Sequence, residues 1–401
     1  MHLTREEEAL LEGEMGPTLQ KAMELLTALG DIYGADSLVP IKSAQIAGVS
    51  YRTIGDAGLE WISDLEGKVV VPSILNPAGM DLERWREMGV DEEFATKQIQ
   101  IIEAYQRLGI RCECTCTPYH VDASLASFGD HLAWSESSAV SYANSVIGAR
   151  TNREGGPSAL AAALIGKTAN YGYHLDENRV PVITVQVDCP LSGADYGALG
   201  YLVGAQVGSD VPLFKLSSKP LNIELKALGA AMAASGAVAL YHVEGVTPQS
   251  GSYPVPAETI AIERAQLDEV FEKNCGRDID LTALGCPHYS QEELESAAEL
   301  LDGMQVGKEV WIFTSRQVRD ASPDTVRRIE ASGAKVFVDT CMVVSPATDR
   351  FGCVLTDSGK ALKYIPGMCG VGSGLASIRD CLKGRIIAGS AEERRDEGEV
   401  S

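Results

Sequence analysis

The sequence predicts an α/β protein of several lobes, layered α/β/α around mixed and parallel sheets. Three observations carry that prediction. From Asp278 the chain alternates strand, helix, strand, helix, strand: DIDLTALG, a helix opened by Ser290 and Glu293 as a capping box, EVWIFTS, PDTVRRIEASG and KVFVDT. Such alternation builds a parallel sheet with helices on its faces. Upstream, PVITVQVD (181–188) reads as a buried strand, and an Ala-rich helix at 221–235 has side chains too small for a surface helix, so it must pack closely on a neighbour. Finally, 401 residues suit two or three domains, and a charged fraction of 22% speaks against disorder.

The elements follow in order. Thr4 and Glu7 form a capping box that opens the first helix, and Pro17 starts a second that ends near Gly30. LVPIKSAQIAG (38–48) is a strand then a loop. KVVVPSIL (68–75) is a β-rich run ending at the turn signal Asn76-Pro77. Residues 92–108 have helical spacing, and 111–117 alternate as a strand. Two helices at 135–148 and 157–166 flank a Gly/Pro-rich loop. These elements divide the chain into lobes at 1–180, 181–275 and 276–390, the second Ala-rich and the third the βαβαβ unit, with a polar tail at 391–401.

Fifty-six acidic against 34 basic side chains leave a formal charge of −22. A phosphate backbone would be repelled, which excludes nucleic acid as the main partner. No apolar run approaches the roughly 20 residues that span a bilayer, and the N-terminus lacks a signal-peptide core. A cytoplasmic protein with no membrane partner is expected. In that compartment its ten cysteines are not expected to pair. Each is then a small hydrophobe, a nucleophile or a metal ligand.

Cys112, Cys114 and Cys116 alternate, so a strand would point all three to one face about 6–7 Å apart. That spacing is too wide for all three to chelate one ion, and Cys112 and Cys114 read as strand filler. Cys286 follows strand 278–285 and Cys341 follows strand 335–340. Ligands in α/β sheets bind outside the carboxyl ends of strands, so these two can converge on one site. Cys369, in a Gly-rich loop, is the rival third member. The absence of a CxxC pair argues against a zinc ribbon or a ferredoxin-type run, whereas single cysteines on separate loops suit a cluster with one open position.

Weaker signals remain. Gly370-Val-Gly372-Ser-Gly374 is a candidate anion cradle or a plain turn. The loops at 47–50, 76–77 and 134–137 could offer N–H groups to an anion or cap helices. Glu154 is either functional or complements a helix dipole. His120, His174, His242 and His288 are too scattered for a His-based metal motif and read as structural.

Taken together, TCTPYH (115–120), GARTNREGGPSALAAALIGKT (148–168), YGYHLDENR (171–179), LGCPHYS (284–290) and TDSGKALKYIPG (356–367) resemble the aconitase X family, in order and over nearly the whole chain. The resemblance implies an aconitase-like architecture with a cluster site at the carboxyl ends of strands between lobes. It implies a hydro-lyase that dehydrates a hydroxy acid at an iron–sulfur cluster with an open iron. A [4Fe–4S] cluster is expected; three thiolates could equally hold a [2Fe–2S] or a mononuclear iron site. The ligands map onto Cys116, Cys286 and Cys341, with Cys369 as the alternative. Substrate-binding positions map onto Gly48, Val49, Ser50, Asn76, Pro77, Glu136, Ser137 and Lys360.

The chain's size resembles the separate large subunit of the archaeal form. That form's activity converts (R)-5-phosphomevalonate to trans-anhydromevalonate 5-phosphate, in a modified mevalonate pathway to isoprenoids. Longer bacterial members, with a fused small subunit, include cis-3-hydroxy-L-proline dehydratases. In relatives the base resembles a serine on a Gly/Ser-rich loop of the small subunit. No such loop is clear here, so a small-subunit partner is expected to supply it, in a heterodimer, and the chain alone is expected to be inactive. The rival from another class is an electron-transfer or iron-sensing protein, which would favour a fourth ligand at Cys369. A third reading is a partner subunit whose cysteines only fill the core. An anionic substrate on so acidic a chain requires a locally positive site.

Overall fold

The computed structural model describes residues 1–273, 278–383 and 386–388, so the polar tail at 391–401 lies outside the described residues. Three parallel sheets organise the chain. The first orders Ser73–Leu75, Ala44–Ile46 and Ala133–Trp134. The second orders His242–Val243, Pro212–Leu216, Ile183–Val187 and Thr259–Ile262. The third orders Lys335–Phe337, Glu309–Thr314, Leu281–Tyr289, Cys353–Thr356 and Gly372–Leu375. Short antiparallel pairs, including Leu38–Pro40 with Lys167–Ala169, complete the mixed α/β architecture. Among the described residues no helix is long and apolar enough to cross a membrane.

The βαβαβ unit forms as its alternation predicts, including the Ser290–Glu293 capping box on helix Gln291–Leu301. The helix Asn222–Ser235 is buried along most of its length. It packs on three helices, Ala194–Val207, Ser137–Tyr142 and Gly359–Cys369. Small residues permit this: a Cβ on Gly200 would lie 2.4 Å from the Leu228 carbonyl oxygen. Gly197 and Gly359 likewise touch through their backbones, and a Cβ on Gly359 would lie 2.2 Å from the Gly197 oxygen.

Four local expectations fail for identifiable reasons. Residues 111–117 are not a strand; only Arg111 bridges to Ile74. The Thr115 N–H is shared between Leu75 O (2.9 Å) and Glu113 O (3.0 Å), and its hydroxyl takes the Thr117 N–H (3.1 Å). Local bonds of this kind compete with a ladder. In the run 68–75 only Ser73–Leu75 is strand, because Pro72 can donate no ladder bond. The first strand of the third sheet runs on past 285 to Tyr289, so Cys286 sits within it, where pairing with Glu309–Thr314 lapses between Leu284 and Tyr289. Gly285, at φ +93°, makes that break; a Cβ there would lie 2.1 Å from Phe313 O. The strand at 335 ends at Phe337, and Asp339, at φ +64°, turns the chain toward Cys341.

Gly372–Leu375 is an edge strand of the third sheet, which removes the anion-cradle reading of that segment. Glu154 is buried and accepts from Ser158 Oγ (2.6 Å) and Thr168 Oγ1 (3.1 Å), a structural role. Eight described cysteines are free thiols. Cys353 is disulfide-bonded, against the expectation of thiols throughout.

Candidate active site

The loops that leave the carboxyl ends of the first and third sheets meet, and the family-derived residues lie there. After strand Ala44–Ile46 come Gly48, Val49 and Ser50. Gly48 adopts φ +75°, and Ser50 occupies the N-cap position of helix Tyr51–Ser63. Val49 turns its side chain into the core and its carbonyl accepts from Gln98 Nε2 (2.8 Å). Ser50 Oγ donates across the lobes to Val344 O (3.0 Å). The buried Gln98 also takes the N–H groups of Tyr51 (3.0 Å) and Gly79 (2.9 Å), fixing this loop.

After strand Ser73–Leu75 come Asn76 and Pro77. Asn76 Nδ2 donates to Glu136 Oε2 (2.8 Å), while its Oδ1 is buried and takes no hydrogen bond. Glu136 N-caps helix Ser137–Tyr142: its Oε1 accepts from Ser138 N (3.3 Å), Ser137 Oγ (3.3 Å) and Ser138 Oγ (3.1 Å). Lys360 reaches it from the third lobe, at the start of helix Gly359–Cys369. Its Nζ donates to Glu136 Oε1 and to Ser138 Oγ (3.2 Å). Ser138 is the contact that sequence reasoning missed; its signal was the SESS run, in which consecutive serines behind a capping acid share one helix N-terminus.

Both ions are buried. Burial alone would raise Glu136, but the Lys360 charge and the hydrogen bonds from Lys360, Asn76 and Ser138 outweigh it and hold the carboxyl at about 2. Burial works against the Lys360 ammonium, yet Glu136 and the nearby Cys286 and Cys116 push it above its ordinary value. The pair is therefore a fixed, buried ion pair.

Cys116, Cys286 and Cys341 come together beside it. Each is buried, each is raised first by burial, and each is then lowered by the Lys360 charge. Cys286 is pushed up to about 12, and Cys116 and Cys341 lie within each other's field and that of Cys286. Cys116 Sγ accepts from His288 N (3.2 Å), Cys286 O accepts from Ser358 Oγ, and the Val343 and Val344 N–H groups favour the Cys341 thiolate. Among the described residues no three His, Cys, Asp or Glu side chains converge tightly enough to grip one ion. A cluster whose ligands each bond a different iron takes a wider triangle. Three buried sulfurs beside one lysine are a donor set that fits an iron–sulfur group, whose iron would supply the positive charge that burial otherwise denies the thiolates.

The remaining cysteines separate from this trio. Cys369 lies behind the Cys341 loop, donating to Met342 O (3.6 Å) and Val343 O (3.5 Å). Cys112 and Cys114 lie 3.9 Å apart, Sγ to Sγ, against the first core. They do not share a face with Cys116, because the strand that would have aligned them does not form. Of the histidines, His242 bonds Arg179 O (2.9 Å) and His174 bonds His131 (2.8 Å), structural as expected; His288 lies at the heart of the site.

Family models for the first, second and third domains of aconitase X match residues 1–177, 181–272 and 279–386. The chain is 64% identical over 384 residues, 95% of its length and 96% of the relative, to the phosphomevalonate dehydratase large subunit of Methanosarcina mazei. A crystal structure of Thermococcus kodakaraensis aconitase X in its holo-form is similar, with a TM-score of 0.90 at 47% identity, covering 96% of this chain and all of that one. More distant, at 33% identity, is the cis-3-hydroxy-L-proline dehydratase of Pseudomonas aeruginosa, of which the chain covers 69% and which in turn covers 95% of the chain. The chain belongs to the aconitase X family.

Proposed function

We propose that the chain is the large subunit of a hydro-lyase that dehydrates (R)-5-phosphomevalonate to trans-anhydromevalonate 5-phosphate, in the cytoplasm, with a small subunit as partner. The observation that carries this is the graded likeness. Four archaeal relatives named phosphomevalonate dehydratase large subunit are 49–64% identical over nearly their whole length, whereas those named for hydroxyproline are 32–33% identical. Cys116, Cys286 and Cys341 would hold a [4Fe–4S] cluster. When bound, such a cluster supplies an open iron, a Lewis acid for a hydroxyl that leaves as water.

The chain's own residues do the rest. Lys360, kept protonated by Glu136, is a fixed positive charge for an anionic substrate inside an acidic protein. Asn76, its amide nitrogen fixed on Glu136, presents Oδ1 as an acceptor for a substrate hydroxyl. The loop Gly48–Ser50, braced by Gln98 and by the Ser50–Val344 bond, and the turn at Pro77 shape the wall around the substrate. Glu136, ionised and fully bonded, orients Lys360 and Asn76 rather than moving a proton, and Ser137 supports it. The proton next to the substrate carboxylate goes to a base on the small subunit.

The test is anaerobic co-expression with the small subunit, followed by assay on phosphomevalonate and on cis-3-hydroxy-L-proline. Turnover of the first, brown absorption and bound iron are expected. Turnover of the second alone overturns the substrate; colourless, iron-free protein after reconstitution overturns the cofactor. A Cys369→Ser variant that loses iron while Cys341→Ser keeps it would reassign the third ligand.

A further inference from the structure

We propose that His288 is the positioning residue that sets the spacing of the three site cysteines, by tying together the three chain segments that carry them. The inference rests on the reading of Cys116, Cys286 and Cys341 as cofactor ligands and goes beyond it to the device that holds them. His288 is completely buried. Its Nε2 lies 2.7 Å from Thr340 O, which can only accept, so Nε2 carries the ring proton. Its Nδ1 is then an acceptor, 3.0 Å from Thr115 Oγ1, whose hydroxyl donates to it.

The placement of these partners is what matters. Thr115 immediately precedes Cys116, Thr340 immediately precedes Cys341, and His288 itself stands two residues after Cys286. One rigid ring therefore spans all three segments, and the His288 N–H adds a direct bond to Cys116 Sγ (3.2 Å). No ladder joins the three segments to one another. Residues 112–117 form no strand and hang on the first sheet by Thr115 N to Leu75 O, pairing lapses around Cys286, and beyond Phe337 the third segment has an isolated bridge from Thr340 to Ala78. The Thr340 hydroxyl takes no hydrogen bond, so among the described residues its side chain adds no second tie. The ring is anchored from behind: His288 O accepts from the buried Lys226 Nζ (3.1 Å), which is paired with Glu293.

The test compares wild type with His288→Leu, which keeps bulk and removes both side-chain bonds, and His288→Gln, whose amide can donate to Thr340 and accept from Thr115. Two quantities are read: iron retained after anaerobic reconstitution, and alkylation rates of individual cysteines in the iron-free protein, by peptide mass spectrometry. His288→Leu is expected to weaken iron binding about 10- to 100-fold. It should also speed alkylation of Cys116 and Cys341 on the order of tenfold, leaving Cys114 unchanged, with His288→Gln between the two. Wild-type iron and wild-type alkylation in His288→Leu overturn the proposal. If His288→Leu does not fold, Thr115→Val decides by itself: faster alkylation confined to Cys116 supports the tie, and an unchanged rate sinks it. Should wild type itself take up no iron, the cofactor reading falls, and the alkylation rates still judge His288.

Discussion

The first and third sheets end at the same place with opposite chemistry. At the carboxyl end of the first, the chain offers Gly48, Ser50, Asn76, Glu136 and Ser138, small polar groups with their hydrogen bonds largely settled within that lobe. Others reach across: Ser50 Oγ donates to Val344 O, Ser138 Oγ accepts from Lys360, and Cys116 hangs from the first lobe but is bonded to His288 of the third. At the end of the third sheet stand Cys286, Cys341 and Lys360, soft donors and a cation. Polar groups and two of the three thiols are thus divided between two lobes, and the Lys360–Glu136 pair joins them. Both sheets are parallel, so both deliver loops at one edge; the residues in those loops decide what each edge does.

The largest effect expected breaks that division at one end only. Cys286→Ser should abolish iron binding, while Asn76→Ala should keep iron and raise KM for phosphomevalonate; measured iron and kinetics check both. Iron loss in Asn76→Ala would show that the two edges are not separable. Next is the joint between them. Lys360→Met strands the Glu136 carboxylate in a buried site and should cost about 3–5 kcal/mol in denaturant unfolding, much of it restored by adding Glu136→Gln. A loss below 1 kcal/mol would mean water reaches Glu136 freely.

Acid should act on the two lobes in opposite directions. In the first, burial holds His174 down at about 3. Its neutral form is the stable one, so stability is full above the ordinary histidine value near 6.5 and falls as pH drops from there toward 3. In the third, burial lifts Asp357 to about 6. That preference for the neutral acid is fully present below the ordinary carboxyl value and is lost as pH rises through about 6. Asp357→Asn, which can still accept from the Tyr289 hydroxyl, should therefore stabilise the protein by about 1–2 kcal/mol at pH 8 and hardly at all at pH 4. Melting curves of this variant and of His174→Phe across that range would separate the lobes.

The regular parts of this molecule were legible because local patterns settle them. The Ser290–Glu293 box, the helix Glu92–Arg107 and the alternation after Asp278 each follow from periodicity and caps. The site was legible in its residues and hidden in its geometry. Nothing in RCECTCTPYH announces that Thr115 bonds inward and cancels a strand, sending Cys116 away from Cys112 and Cys114. His288 looked like one lone histidine among several, because its partners lie 173 and 52 residues away in the chain. Gln98 was missed for the same reason: a helical glutamine shows no sign that three backbone groups depend on it.

The contact between Gly197 and Gly359 gives the second lobe its part in all this. That lobe reaches the cluster through Lys226, which donates to His288 O, and its helix Ala194–Val207 bears on the residue next to Lys360 with nothing between but backbone atoms. It acts as an end-stop. The ammonium's reach to Glu136 is measured from that stop, so a single methyl group at Gly197 or Gly359 would work as a shim, moving the lysine without changing any other residue of the cluster.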